Sequence, residues 1–372
     1  MANTTTALLP VMLARSLTLL RKRLIMPRLV NSDYSPEAQR KGASIPIPVP
    51  VDLGTADNVT PAVTPPTPTD QTPTTVSITL DKWKHKMFHI SDKERAEIEA
   101  NANFIPNSMA SAVDSIAQAV NGDIFALYKE VYGYTGTAGT TPFASTTAAA
   151  TDARKALHEQ LCPRSDRRLV LDFDGEANAL TLAAFRDASQ AGNAQVVIEG
   201  ELGRRFGFDF FSDHDVPTHT AGTGASYQLS AAASAGATSV SVDTGSGTIL
   251  VGDVVTFAGH PTTYTVTAAL SGGSFSVSPA LTAAVADNAA VTLKATHVVN
   301  LAFHRDAFAF ANRPLQLEDG QDPSMMITMQ DPATGISMRL EKLRGYKQTM
   351  YDIDILYGVK CIRPQLAVRV AG

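Results

Sequence analysis

Apolar positions near the N-terminus recur at helical spacing. Leu9, Leu13, Leu17, Leu20 and Leu24 predict a helix over 11–25 that ends before Pro27, because proline disfavours the helical region for the residue ahead of it. A different pattern takes over at Ser44. Ile45, Ile47, Val49 and Val51 alternate with Pro46, Pro48 and Pro50; proline has no amide to give a ladder, so 44–52 predicts an edge or free extended strand. Residues 53–75 are rich in Thr and Pro and predict a loop tip, after which Val76, Ile78 and Leu80 alternate with polar residues into Trp83. The whole reads as a long hairpin over 44–90. It has little core of its own and must lie on something.

Ser91 and Glu94 have capping-box spacing and predict a helix start. From Asn107 a helical stripe runs through Met109, Val113, Ile116, Ala117, Val120, Ile124, Leu127, Tyr128 and Val131. It predicts a strut helix of about 25 residues, about 40 Å long. Gly133, Gly136 and Gly139 then predict a flexible stretch to about residue 150. Residues 151–200 read as α/β: helix Ala153–Leu161, strand Leu169–Asp172, helix Ala177–Gln190, strand Val196–Ile198. Further on, His297–Phe303 predicts a strand and His304–Ala311 a short helical segment. Met325–Thr328 and Ser337–Leu340 predict a hairpin around 331–335. Tyr346–Ile355 and Val359–Val370 predict strands with Gly358 as a bulge.

Composition changes this picture in one place. Between Arg205 and Lys294 there is no lysine or arginine, and the stretch is mostly Ala, Gly, Ser, Thr and Val. Strand patterns at 238–243, 248–257, 262–268, 274–278 and 290–294, separated by Gly-rich turns, predict a small all-β module inserted into a host domain. The host is therefore discontinuous. A net charge of −5 argues against a protein that grips nucleic acid along a basic face, though not against a container whose wall faces it. Residues 1–32 hold no acid; Arg15, Arg21, Lys22, Arg23 and Arg28 sit among leucines. The charges follow the apolar stretch, unlike a secretory signal. A mitochondrial leader and an arm that docks on a partner both fit. No apolar run reaches the ~18 residues of a membrane span. Cys162 and Cys361 are too few for a disulfide framework and read as buried thiols in a reducing compartment.

Catalytic signals are sparse. Leu169-Val170-Leu171-Asp172-Phe173-Asp174-Gly175 resembles the first motif of the haloacid-dehalogenase phosphatases. In that reading Asp172 would be the nucleophile and Asp174 the acid/base, with Mg²⁺ bridging carboxylate and phosphate. Glu176 stands where that family usually has Thr, and the later acidic pair is missing. His85 with His89, and His214 with Asp215 and His219, are candidate metal ligands weighed against surface and turn roles.

The remaining anchors are Gly200-Glu201-Leu202-Gly203-Arg204-Arg205-Phe206-Gly207-Phe208-Asp209, Asp215-Val216-Pro217-Thr218-His219-Thr220, and Asn300-Leu301-Ala302-Phe303-His304-Arg305-Asp306-Ala307-Phe308. With the opening Asn3-Thr4-Thr5-Thr6 and Asn31-Ser32-Asp33-Tyr34, the chain resembles major capsid (coat) proteins of tailed bacteriophages, of the short-tailed phage coat family with an inserted β domain. The resemblance implies an α+β fold of the HK-ninety-seven type. Residues 1–33 would be the N-terminal arm, 34–90 the extended loop hairpin, and 91–145 a peripheral domain with the spine helix. Residues 146–220 and 297–345 would form the axial domain, 221–296 the inserted β domain, and 346–372 the peripheral domain's C-terminal strands. It further implies a non-enzymatic virion protein, assembled in the host bacterial cytoplasm into hexamers and pentamers of an icosahedral head. That head would enclose double-stranded DNA without sequence-specific binding. The implied partners are a scaffolding protein and a portal; no membrane, metal or cofactor is implied. Arg21, Lys22 and Arg23 on the arm, and Lys82, Trp83, Lys84 and Lys86 on the hairpin, are the candidate intersubunit contacts. The Mg²⁺-dependent phosphatase using Asp172 is the alternative.

Overall fold

The computed structural model of the chain describes residues 25–34, 44–49, 74–94, 107–187, 202–313, 325–330 and 336–372, with the single positions 56, 58, 59, 61, 200 and 315. All but Ile25 of the helix expected over 11–25, the strand expected over 196–198 and the candidate contacts Arg21, Lys22 and Arg23 lie outside the described residues.

Three sheets and a hairpin organise these residues. The strands Ser44–Val49 and Thr74–Thr79 pair antiparallel, Ser44 opposite Thr79 and Val49 opposite Thr74. Ile45, Ile47, Ile78 and Leu80 bury one face of this hairpin against Ala309, Ala311 and Ile362. The expected hairpin over 44–90 is thus corrected. Lys82–Ser91 leaves it and pairs instead with Gln348–Cys361, Tyr357 opposite Lys82 and Gln348 opposite Ser91. Alternation carries on across Asp81 without a turn signal, so pattern alone does not reveal that the chain changes partner.

A five-stranded sheet is built around the 14-residue strand Gln348–Cys361. It is ordered Phe308–Arg313, Gln348–Cys361, Ser337–Gly345, Met326–Gln330, with Lys82–Ser91 on the other edge of the long strand. Two expectations fail here. Only Arg305–Ala307 is a helical turn, and Phe308–Arg313 is a strand. Both its faces are buried, so its sequence is a continuous apolar run that a helix would share. The long strand also passes through Gly358 without a register break, Gly358 facing Ala311. This glycine answers to space, since a Cβ there would lie 2.2 Å from the Thr79 carbonyl oxygen of the overlying hairpin.

The helix Asn107–Phe125 packs on this sheet and continues into one 3₁₀ turn, Ala126–Glu130. Met109, Val113, Ile116, Val120 and Ile124 are its buried stripe. Met26–Leu29 forms a helical turn against it, with Pro27 inside the turn. The first turn of a helix has no intrahelical acceptor for that amide, so proline is tolerated there.

The seven-stranded central sheet is mixed. Its order is Gly133–Gly136, Ala367–Ala371, His297–His304, Arg167–Leu171, Phe208–Ser212, Arg204–Arg205, with Thr218–His219 also on His297–His304. Gly133–Gly136 is therefore a strand, not the flexible stretch expected. The helix Ala148–Glu159 covers the sheet at Gly133–Gly136 and Ala367–Ala371. The helix expected from Ala177 starts at Phe173 and breaks at Leu182, which is extended; Ala183–Arg186 follows. One continuous hydrophobic cluster unites these helices with both sheets.

The third sheet, six antiparallel strands between Gln228 and Leu293, closes over its own cluster of Leu229, Val240, Val255, Phe257, Tyr264, Val266, Phe275 and Val277. The strand expected over 248–257 is only Val254–Phe257, because residues 250–253 form a turn.

Gly358→Ala should force the hairpin off the long strand and cost about 1–3 kcal/mol. Thermal unfolding of the variant checks this; an unchanged melting temperature would show that Thr79 can move aside freely.

Candidate functional site

Lys82–Ser91 is a ten-residue edge strand, exposed along most of its length. Trp83 is 63% exposed. Its indole nitrogen donates to Asp354 Oδ2 at 2.9 Å, and the Arg339 guanidinium lies 5.9 Å from its ring centre. Arg339 in turn grips Asp354 through both carboxylate oxygens. Indole, guanidinium and carboxylate fix one another, so the outward apolar side chain is held still. Lys82 turns inward, 3.8 Å from Asp123 on the long helix. Lys84 and Lys86 are exposed. The four candidates therefore share one strand with two destinations: Lys82 works within the subunit, while Trp83, Lys84 and Lys86 face out.

The candidate catalytic and metal residues resolve into structural roles. Asp172 caps the helix Phe173–Thr181, its Oδ1 accepting from the Gly175 amide at 3.2 Å. A Cβ at Gly175 would fall 2.8 Å from that oxygen, so the Asp-x-Asp-Gly pattern is a helix start. Asp174 and Glu176 occupy the first turn, where acids complement the helix dipole. Burial pushes the Asp172 carboxyl above its ordinary range, opposed by the Gly175 amide. His85 bonds Asp352 at 3.0 Å, and His214 stacks on Phe173. Asn121 on the long helix donates to Asp213 and Asp215 and accepts from the Met26 amide. That knot ties the N-terminal turn, the helix and a central strand end together. Among the described residues no group of three or more His, Cys, Asp or Glu is arranged to hold a metal, and no helix is long and apolar enough to cross a membrane. Cys162 and Cys361 are buried, and burial pushes both thiols up.

The most constrained polar site is one that hydrophobic patterning does not single out. Arg369, in Ala367–Ala371, is fully buried. Its Nε donates to Val131 O at 2.8 Å, Nη1 to Gly252 O at 2.7 Å and Nη2 to Thr265 Oγ1 at 3.0 Å. The Tyr128 ring lies 5.0 Å from the guanidinium carbon. Burial lowers the Arg369 pKa to about 10, so it remains charged at neutral pH. Gly252 and Thr265 belong to the all-β insert. Tyr128 lies in the 3₁₀ turn that ends the long helix, and Val131 is the residue just past that turn.

Two further bonds cross the same joint: Thr265 Oγ1 donates to Lys129 O at 2.8 Å and Thr263 Oγ1 to Tyr132 O at 2.7 Å. Gly252, at φ +94°, leaves no room for a side chain, since a Cβ would meet Lys129 Cγ at 2.8 Å. Beside it, His219 bridges the Tyr128 hydroxyl at 3.0 Å and Asp253 at 2.9 Å. Asp253, fully buried, also accepts from the Gly222 and Leu250 amides. One signal in the sequence marks this joint: a lone arginine inside the apolar run Ala367-Val368-Arg369-Val370-Ala371, where a buried charge requires buried partners.

The chain matches the family model described as phage capsid protein over residues 71–265. Among solved structures it is similar to one from Mycobacterium phage Che8, at 13% identity and TM-score 0.51, covering 93% of this chain and 90% of that one. The capsid of the cyanophage P-SCSP1u is 14% identical, with TM-score 0.49 and coverage of 93% and 87%. No curated protein matches.

As a cap, Asp172→Asn should leave stability nearly unchanged, because Asn caps equally well, while Asp172→Ala costs about 1 kcal/mol. Chemical denaturation of both variants decides; equal losses would mean the charge, not the cap, matters. At the joint, Arg369→Ala should cost more than ~3 kcal/mol by orphaning three buried acceptors. Arg369→Lys should recover part of that loss, since one ammonium cannot span all three. Equal denaturation midpoints for wild type and Arg369→Ala would overturn this account.

Proposed function

The chain belongs to the phage capsid protein family, and from that membership we propose that its copies form hexamers and pentamers of an icosahedral head enclosing double-stranded DNA. It is a structural major capsid protein that self-assembles, and its place is the virion capsid. The observation that carries this is the family match itself, whose range takes in the hairpin's second strand, the edge strand, the long helix, several strands of the central sheet and part of the insert. The fold is similar to that of the Mycobacterium phage structure over nearly the full length of both chains.

The finer reading assigns the hairpin and Lys82–Ser91 to contacts between copies. Trp83, Lys84 and Lys86 form the outward part of that contact, with Arg21, Lys22 and Arg23 of the N-terminal arm as a second basic element. Residues 1–33 serve as the arm, 34–90 as the extended loop, 91–145 and 346–372 as the peripheral domain, and 146–220 with 297–345 as the axial domain interrupted by 221–296. The protein does no chemistry: Asp172, the residue a phosphatase would need, is committed to a helix start. Net charge of −5 suits a wall that DNA phosphates slide along instead of binding. Assembly takes place in the host bacterial cytoplasm on a scaffolding protein, with a portal at one vertex.

Electron microscopy of the protein expressed with its scaffolding partner should show closed shells. Trp83→Ala and the pair Lys84→Glu with Lys86→Glu should reduce shells to free subunits, the lysine pair at unchanged thermal stability. Soluble monomers in every condition for the wild type would sink the proposal, and intact shells from both variants would remove the edge strand from it.

A further inference from the structure

The chain enters the inserted module through Thr218–His219 and leaves it through His297–Val298. These two segments pair antiparallel, with His219 directly opposite His297. Their ring centres are 5.4 Å apart, and both side chains are buried. His297 Nδ1 donates to Ala295 O at 2.7 Å, while its Nε2 is buried with no hydrogen-bond partner among the described residues. Tyr134 stands edge-on to its ring.

The charges around this pair are unbalanced. Arg369 comes from the C-terminal strand, Lys129 and Tyr128 from the turn after the long helix, and Tyr134, with Lys294 5.5 Å above its ring, from the strand that comes next. The module contributes Asp253, already committed to His219 and two backbone amides. A proton arriving at the His297 ring therefore meets a guanidinium and a second imidazole, with one carboxylate to offset them. Like charges placed directly opposite on paired strands are destabilising.

The joint is also built to separate. Module and host have distinct hydrophobic clusters, and the described contacts between them at the neck are mainly hydrogen bonds: Arg369 to Gly252 and Thr265, Thr265 to Lys129, Thr263 to Tyr132. Breaking these leaves the six-stranded sheet over its own core.

We propose that the neck of the module is an acid-released hinge, in which proton uptake by His297, buried directly opposite His219, frees the folded module from the end of the long helix. The sign follows from burial. In the closed joint burial lowers the His297 pKa from 6.5 to about 4. The closed state is thus fully favoured above pH 6.5 and loses that advantage as pH falls toward 4. Opening should become about tenfold easier per pH unit across that window, on the order of 300-fold in total.

Hydrogen exchange of the full-length protein from pH 7.5 to 4, corrected for intrinsic rates, tests this. Segments 127–134 and 250–266 should lose protection about tenfold per pH unit below 6.5, while 239–243 and 274–278, inside the module, keep theirs. His297→Phe should flatten the response, because the ring edge packs on Tyr134 as before, Nε2 has no bond to lose, and nothing there titrates. If that variant does not fold, His297→Gln, which keeps a donor for the exposed Ala295 carbonyl, is judged by the same criterion. The hinge is overturned if the wild-type neck is flat with pH, if the non-titrating variant keeps the wild-type slope, or if the control strands lose protection in parallel, which would be global unfolding.

Discussion

A single buried guanidinium holds the three parts of this subunit to one another. Arg369 is wholly inside the protein, and its acceptors come from the end of the long helix and from two places in the inserted module. Removing a guanidinium from water costs several kcal/mol unless its donors are met, so the closed joint holds the C-terminal strand, the helix end and the module to one another. Arginine suits the position because its planar fork points several donors in fixed directions. A lysine's single ammonium cannot reach a carbonyl on one side and a carbonyl and hydroxyl on the other. The module is therefore no free appendage. It supplies two of the three hydrogen bonds that let the host bury its last strand.

The rest of the architecture follows the same division of labour. Apolar packing makes each body: one cluster joins the five-stranded and central sheets through the long helix, and a second fills the module. Polar groups then fix the bodies' ends. Asn121 ties the N-terminal turn to Asp213 and Asp215, Asp172 starts a helix at the end of a central strand, and Arg344 holds Asp92 through two bonds of 2.5 and 2.7 Å beside the Ser91–Glu94 cap. Packing gives cohesion without direction; hydrogen bonds with fixed geometry give direction for little net energy. A subunit that must repeat identically around a shell needs both.

What could be read from the sequence was local. The stripe from Met109 to Val131, the capping box at Ser91, the strand pair flanking 331–335 and the β module without Lys or Arg each rest on residues close together in the chain, and each reappears in the structure. What could not be read depended on partners far away. Lys82–Ser91 continues the alternation of the hairpin yet belongs to a strand more than 250 residues later. Phe308–Arg313 is apolar on both faces, so neither period shows. Gly358, expected as a bulge, is a clearance for another strand. His219 and His297 become neighbours only through the register of two segments separated by the whole insert. The Asp-x-Asp-Gly pattern was ambiguous for the opposite reason: a helix cap whose carboxylate lies close over Gly175 and a phosphatase motif share the same local sequence.

The treatment of charge connects this subunit to its role in a shell. Several of its acids are spent inside: Asp123 on Lys82, Glu130 on Lys360, Asp354 on Arg339, Asp253 on His219. The edge strand is different. A long unpaired edge is a template for uncontrolled pairing, and charged side chains, lysine above all, are a common defence. Lys84 and Lys86 give a free subunit that protection, since two such edges approaching each other would bring lysines together. A partner surface bearing acids would meet no such barrier and would gain the burial of Trp83. Exposed ion pairs contribute only about 0–1 kcal/mol each, so in the contact proposed above the lysines would select the partner and the indole would supply the contact energy. Many contacts of that modest strength let subunits dissociate and rebind until the shell closes correctly, which a single strong contact would prevent.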